Sequence, residues 1–154
     1  NKARQIAFRA FRGSGEVVDP DAAVFPDIKG APVDVRTNAD YFGNRKAQEW
    51  WRLRTRCQKT HRWVTEGKKC SPDEIVSFNS KKIWPILHKV ITELSQPTYR
   101  QNDAGKMIVN KTPDGMKSPN LGDGVMIRLA KKGPAPLVIS ADVLARAMRP
   151  RGRR

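Results

Sequence analysis

The run Ser118-Pro119-Asn120-Leu121-Gly122-Asp123-Gly124 sets one carboxylate between two glycines in an otherwise apolar stretch. A helix is predicted there, with Ser118 as N-cap, Pro119 at the first position and an end near Lys131. Glycine costs about 1 kcal/mol in a helix interior, and an unpaired buried carboxylate costs more. Small neighbours around Asp123 would leave room for a metal ion, a close-packed strand or a phosphodiester. The plainer alternative is that Asp123 faces water. Asn120, three residues earlier, shares its helix face and is the candidate supporting residue. Lys106, Lys111 and Lys117 stand close by in sequence and suit phosphate contacts. One carboxylate cannot hold two divalent ions, because two-metal cleavage needs a cluster of them.

Other chemistry has less support. Cys57 and His61 are four apart, and Cys70 and His88 follow, so a zinc tetrahedron is conceivable. Their spacing matches no usual paired pattern, and Cys57 already belongs to an apolar stripe. There is no Gly-x-Ser-x-Gly for a nucleophile triad. There is no phosphate-cradling Gly-x-x-x-x-Gly-Lys, so the chain alone should not bind ATP.

The elements that must position these groups follow from periodicity. Asn44 caps a predicted helix whose Trp50, Leu53, Cys57 and Val64 share one face. Its other side carries Arg45, Arg52, Arg56 and Lys59, and Gly67 ends it. Trp50 and Trp51 read as packing residues rather than base-stacking platforms. Before this helix, residues 13–42 are broken by Gly13, Gly15, Pro20, Pro26, Gly30 and Pro32 and read as a long loop, with a short strand at Val33 to Val35. After it come a capped turn at 71–74, a short buried strand at 75–78 and a helix over 81–94 with Pro85 in its first turn. Ile86, Val90, Ile91 and Leu94 form that helix's apolar face. Residues 105–111 read as a strand with Met107 and Val109 on one face, and 112–115 as a turn. In the Asp123 helix, Leu121, Val125, Ile127 and Leu129 are the expected buried positions. The tail from Gly133 is broken by Pro134, Pro136 and Pro150, with a weakly helical stretch at 141–148.

Composition bounds the partners. The 154 residues suit one domain, and 38% hydrophobic content is enough for a core. No apolar run approaches the ~18 residues of a membrane span. Residues 1–12 have no apolar stretch of signal-peptide type. Two cysteines build no disulfide framework and fit a reducing compartment. The net charge of +15 points to a polyanion, nucleic acid before an anionic membrane. That charge is uneven: residues 45–69 hold nine bases against Glu49 and Glu66, whereas residues 13–42 hold six acids against Lys29 and Arg36. Three separate basic segments favour nucleic acid.

Several of these stretches together resemble one family. Tyr41-Phe42-Gly43-Asn44-Arg45-Lys46-Ala47-Gln48-Glu49-Trp50-Trp51, followed by Leu53-Arg54, is similar to the Asn-x-Lys-Ala-Gln-x-Trp-Trp helix of tailed-phage terminase large subunits. Glu93-Leu94-Ser95-Gln96-Pro97-Thr98-Tyr99 matches the same family, as does Gly105 to Lys111 with Pro113-Asp114-Gly115. Lys117 to Ile127 is similar to its Ser-Pro-Asn/Asp-Leu-Ala-Asp-Ala motif, and Phe11 to Pro20 to a loop of prophage members. The resemblance covers about residues 8 to 130.

The resemblance implies an α/β, RNase H-like fold, a mixed sheet flanked by helices, within the C-terminal nuclease domain. It implies an endonuclease that cuts concatemeric double-stranded DNA during head packaging with Mg²⁺ or Mn²⁺. Asp123 would be the last of the acidic metal ligands and hence catalytic. Lys106, Lys111, Lys117, Arg45, Arg52 and Arg56 would contact DNA, with Asn120 behind the carboxylate. The implied partners are the ATPase domain of the same subunit, the small terminase subunit and the portal, in the host cytoplasm and with no membrane. Gly122 and Gly124 depart from the family's alanines, which loosens the helix without removing its carboxylate. The family's first two acidic ligands should precede Asn1, and the acids from Asp19 to Asp40 do not match them. Residues 1–132 are therefore expected to be the later part of an incomplete nuclease domain, with 133–154 a basic tail. Such a piece should be catalytically incomplete and have an unprotected sheet edge. The alternatives are a non-catalytic DNA-binding module on the same scaffold, and a structural protein whose basic tail docks on an acidic surface.

Overall fold

The computed structural model of the chain describes residues 6–8, 10–25, 36–131 and 137–139. In chain order the elements are β1 (Ile6–Phe8), α1 (Asn38–Tyr41), α2 (Arg45–Glu66), α3 (Ser80–Ile83), α4 (Leu87–Ser95), β2 (Thr98–Gln101), β3 (Met107–Asn110), α5 (Asn120–Leu129) and β4 (Leu137–Ile139), with single 3-10 turns at Pro72–Glu74, Trp84–Ile86 and Pro113–Gly115. The contact pattern divides the chain into residues 12–131 and a smaller unit containing β1 and β4. In the smaller unit β1 and β4 pair antiparallel, Ile6 opposite Ile139 and Phe8 opposite Leu137. A strand at 137–139 was not expected from that proline-broken stretch. The anticipated strand at 33–35 and helical stretch at 141–148 lie outside the described residues. Among the described residues no helix is long and apolar enough to cross a membrane.

In the larger unit α2 is the organising element, bounded as its end residues require. The Asn44 carboxamide accepts the Ala47 N–H at 2.9 Å. At the other end Gly67 takes φ +67°, the left-handed conformation that favours glycine. The buried face of α2 is Ala47, Gln48, Glu49, Trp50 and Leu53. The expected stripe through Cys57 and Val64 does not hold, since Cys57 is exposed and Val64 is 80% exposed. The second half of α2 is met by the 72–76 segment through polar groups. Lys59 pairs with Glu74, and the Val76 N–H donates to Thr60 Oγ1 at 2.9 Å. The core gathers Phe42, Ala47, Trp50, Leu53, Val90, Val109 and Met126.

The loop before α2 is more ordered than its glycines and prolines suggest. Gln48, fully buried, acts as a second backbone for Val18: its Oε1 accepts the Val18 N–H at 2.7 Å and its Nε2 donates to the Val18 carbonyl at 2.8 Å. Asn38 donates to the Asp19 carbonyl at 2.8 Å. Helix α1 lies inside the predicted loop, started by a capping box between Thr37 and Asp40. Trp51 is a packing residue as expected. It meets the rings of Phe25, Tyr41, Phe42 and Tyr99 at centroid distances of 5.3–6.3 Å, with Arg54 over its face at 4.9 Å.

The expected helix over 81–94 is split. Pro85 lies in the Trp84–Ile86 turn, where a missing N–H and ring bulk interrupt an α-helical ladder, so α3 and α4 are separate. Val90 is buried, but Ile86 and Ile91 are exposed. Residues 75–78 pair with no strand, and Phe78 is exposed, which corrects the buried strand expected there. Strand β2 was not anticipated. It pairs antiparallel with β3 in the register Thr98 to Asn110 and Gln101 to Met107. In β3 Val109 is buried and Met107 half-buried.

Two measurements check this account. Gln48→Leu keeps the volume but leaves the Val18 amide and carbonyl without partners. It is expected to lower stability by about 1–3 kcal/mol in urea unfolding, while Gln58→Leu on the exposed half of α2 changes little. Tyr99 is pushed up to about 12 by burial, against the nearby Arg54 charge that lowers it. A phenol that ionises near 10 when unfolded and near 12 when folded favours the native state fully below pH 10. That contribution is lost as pH rises through 12. Ultraviolet titration should therefore show one phenol ionising near pH 12, and Tyr99→Phe should remove it.

Candidate functional site

Helix α5 begins without a cap of its own. Pro119 occupies the N-cap and makes no side-chain bond, and Ser118 supplies a carbonyl to the Asn120 N–H at 2.9 Å rather than its hydroxyl. The expectation of a Ser118 cap is therefore corrected. The cap comes from another helix: Glu93 Oε2 accepts the Leu121 N–H at 2.6 Å and the Gly122 N–H at 3.1 Å. Two of the four orphan donors at a helix head are satisfied this way. A negative charge also sits at the positive end of the dipole. Glu93 is only 9% exposed, with Lys89 4.0 Å from its other oxygen. The Asp123 N–H continues the first turn with a 2.7 Å bond to the Pro119 carbonyl.

Gly122 explains one departure from the family pattern. A Cβ there would fall 3.1 Å from the Glu93 carbonyl oxygen and 3.1 Å from Trp50 Cη2. The helix head is seated against both α4 and α2, and a side chain at 122 would require Glu93 or Trp50 to give by a few tenths of an ångström. The inward residues of α5 are consequently Gly122 and Met126, while Leu121, Val125 and Leu129 are half-buried and Ile127 is exposed. Periodicity alone favoured the bulky positions, because a glycine carries no hydrophobic signal. Past the end of α5, at Leu129 rather than Lys131, the Arg45 guanidinium donates to the Lys131 carbonyl at 2.9 Å.

Asp123 is half-buried and its Oδ2 pairs with the Lys111 ammonium. Gln96, buried just past α4, donates from Nε2 to the Lys111 carbonyl and, at 2.8 Å, to the Lys117 carbonyl. One amide thus fixes the two lysine-bearing stretches that flank Pro113–Gly115. Lys111, Lys117 and Asp123 are brought together around the head of α5. Asn120, the first residue of α5, is exposed. Lys106 closes the β2–β3 turn, its N–H donating to Asn102 Oδ1 at 2.8 Å. The arginines of α2 point their charge elsewhere. Arg52 pairs with Glu49 at 3.1 Å and lies 3.8 Å from Asp19, and Arg56 lines a groove with Lys59 and Arg62. Among the described residues no three His, Cys, Asp or Glu side chains gather, and Cys57 and Cys70 are free thiols.

Glu93 and Gln96 were not identified from sequence as positioning residues. The available signal was a helix start, Pro119, that cannot cap itself, and so needs an acceptor from elsewhere. The arrangement offers one oxygen donor on a rigid helix head, with cationic side chains beside it that suit phosphate. Glu93→Ala should strip the head of α5 of its acceptor and cost roughly 1–3 kcal/mol in denaturant unfolding. Glu93→Gln keeps an acceptor without the charge and should cost about 1 kcal/mol. Equal stability of all three forms would contradict the capping role.

No protein-family model and no curated protein sequence matches the chain. Solved structures do. The nuclease domain of the large terminase subunit of bacterial virus Sf6 matches with 32% identity and a TM-score of 0.66, over 80% of this chain and 53% of that one. A mutant of that domain with manganese and beta-thujaplicinol matches with 31% identity and the same TM-score. A mutant form with calcium matches with 32% identity and a TM-score of 0.65, over 77% of this chain and 51% of that one. The chain spans about half the length of these structures. Its mixture of helices with small antiparallel ladders is that of these RNase H-like domains. By fold and by sequence together, the chain belongs with the nuclease domains of phage terminase large subunits.

Proposed function

We propose that this chain contributes Asp123 as one carboxylate ligand for a divalent ion, Mg²⁺ or Mn²⁺, in an endonuclease that cuts concatemeric double-stranded DNA. The observation that carries the reading is the head of α5, where Asp123 is held by the Glu93 cap and faced by the Lys111 ammonium. Oxygen donors suit these hard cations, and two of the similar structures hold manganese or calcium. The fit is partial. A two-metal centre needs a carboxylate cluster, and among the described residues Asp123 stands without one. The chain's own contribution is therefore a ligand, its orientation and a cationic surround. When bound, such an ion would activate water and stabilise the leaving oxygen. Lys111 balances the Asp123 charge, and Lys106 and Lys117 would hold phosphates, with Arg45, Arg52 and Arg56 adding to the positive field. The packaging partners in this reading are an ATPase domain, a small terminase subunit and the portal. The tail 133–154 is a further basic segment for one of these or for DNA.

A second reading is a DNA-binding module that does not cut. The engagement of Asp123 by Lys111 favours it, since a neutralised carboxylate serves phosphate binding as well as metal binding.

A supercoiled-plasmid assay with Mn²⁺ separates them, using this chain and a polypeptide spanning the whole nuclease domain. Nicking by the longer form should disappear in Asp123→Ala; nicking that survives would remove Asp123 from the ligand set. Duplex affinity should fall steeply as salt rises, and each of Lys106→Gln and Lys117→Gln should reduce the slope of log K against log salt by about 1. Tight binding with no nicking by either form would favour the second reading.

A further inference from the structure

The walls of α3, α4 and α5 enclose a groove of about 530 Å³ that is lined chiefly by Phe78, Ile83, Ile86, Val90, Leu121 and Val125. It lies on a different side of α5 from the Asp123–Lys111 pair: Asn120, Gly124 and Arg128 form its α5 wall, and Asp123 does not. The turn that carries Ile83 and Ile86 also exposes Trp84, at 74%. A groove of this volume is large enough to take a ligand or a partner's side chains, and an exposed tryptophan beside it is a typical anchor. The lining itself carries charge of one sign: none of its residues is acidic, Arg128 is among them, and the adjoining α3 carries Lys81 and Lys82. A second copy of this chain would face those cations with its own. DNA would find too few donors on such walls.

We infer that this groove docks an acidic amphipathic helix of a protein partner. Its apolar side would lie along Ile83, Val90 and Val125, and its carboxylates would meet Arg128 and the lysines of α3. Helix-in-groove recognition of this kind reads apolar anchors at i, i+3 or i+4 and i+7, and uses flanking charge for selectivity. Gly124 lines the groove with open space beside it, since a Cβ there would meet nothing within 4 Å.

The test uses three fluorescent peptides on the intact chain, read by anisotropy. One is a helical leucine/glutamate peptide with a leucine stripe, one has lysine in place of glutamate, and one is a scrambled acidic peptide of the same composition. The first should bind about tenfold or more tighter than the other two. Gly124→Leu adds bulk on the groove wall, with no neighbour within 4 Å of its Cβ, and should weaken binding at least as much, with a circular-dichroism melt no lower than that of the parent chain because leucine replaces a mid-helix glycine. Arg128→Glu combined with Lys81→Glu should turn the preference toward the lysine peptide. Equal binding of the scrambled acidic peptide would reduce the effect to the +15 charge and overturn the proposal. Binding of none of the peptides, or binding indifferent to Gly124→Leu, would overturn it too. A dimer in sedimentation that Gly124→Leu dissolves would assign the groove to a second copy instead. Loss of peptide binding in a polypeptide spanning the whole nuclease domain would make the groove an internal packing face.

Discussion

The buried Glu93 carboxylate at the head of α5 is the contact on which the candidate site depends. Helix α5 starts at a proline that cannot cap it, and the missing acceptor comes from α4. That bond places a charge from one helix on the dipole of another and ties α4 to the head of α5. Asp123 lies one residue beyond the second capped amide. Its carboxylate stands beside the Lys111 ammonium on the helix head that Glu93 caps.

The same seat joins stretches far apart in the chain. Gly122 lets α5 approach both α2 and α4, where a Cβ would stand in tight contact, 3.1 Å from both Trp50 Cη2 and the Glu93 carbonyl oxygen. Three residues past Glu93, Gln96 ties the carbonyls of Lys111 and Lys117. Two buried polar side chains, Glu93 and Gln96, thus hold the stretches around Asp123 with their partners satisfied. Buried polar contacts are strong only when complete, which is why a small set of them can orient an otherwise lightly packed helix.

The positive charge divides by its surroundings. On α2 the guanidiniums of Arg45 and Arg52 serve the fold, bonding the Lys131 carbonyl and Glu49. Near α5 the Lys111 ammonium pairs with the Asp123 carboxylate. Around the α3–α4–α5 groove, cations border apolar walls with no acid among them. Among the described residues the positive charge therefore serves different surroundings.

Much of the local structure is legible in the residues alone. Asn44 and Gly67 bound α2 because one accepts the orphan amides and the other tolerates a positive φ. Thr112 to Gly115 turns, 107–110 is extended, and Asp123 stands on a helix, as pattern and turn chemistry require. The Asn-x-Lys-Ala-Gln-x-Trp-Trp and Ser-Pro-Asn-Leu-Gly-Asp stretches likewise marked the family. What pattern could not supply were relations between distant residues. These include the Glu93 cap, the Gln48 pairing with Val18, the seat of Gly122 against Trp50, the split at Pro85 and the pairing of 137–139 with 6–8. Each depends on which surfaces meet after folding. A glycine's packing or a carboxylate's acceptor role leaves no periodic trace along the chain, so only the tertiary structure decides it.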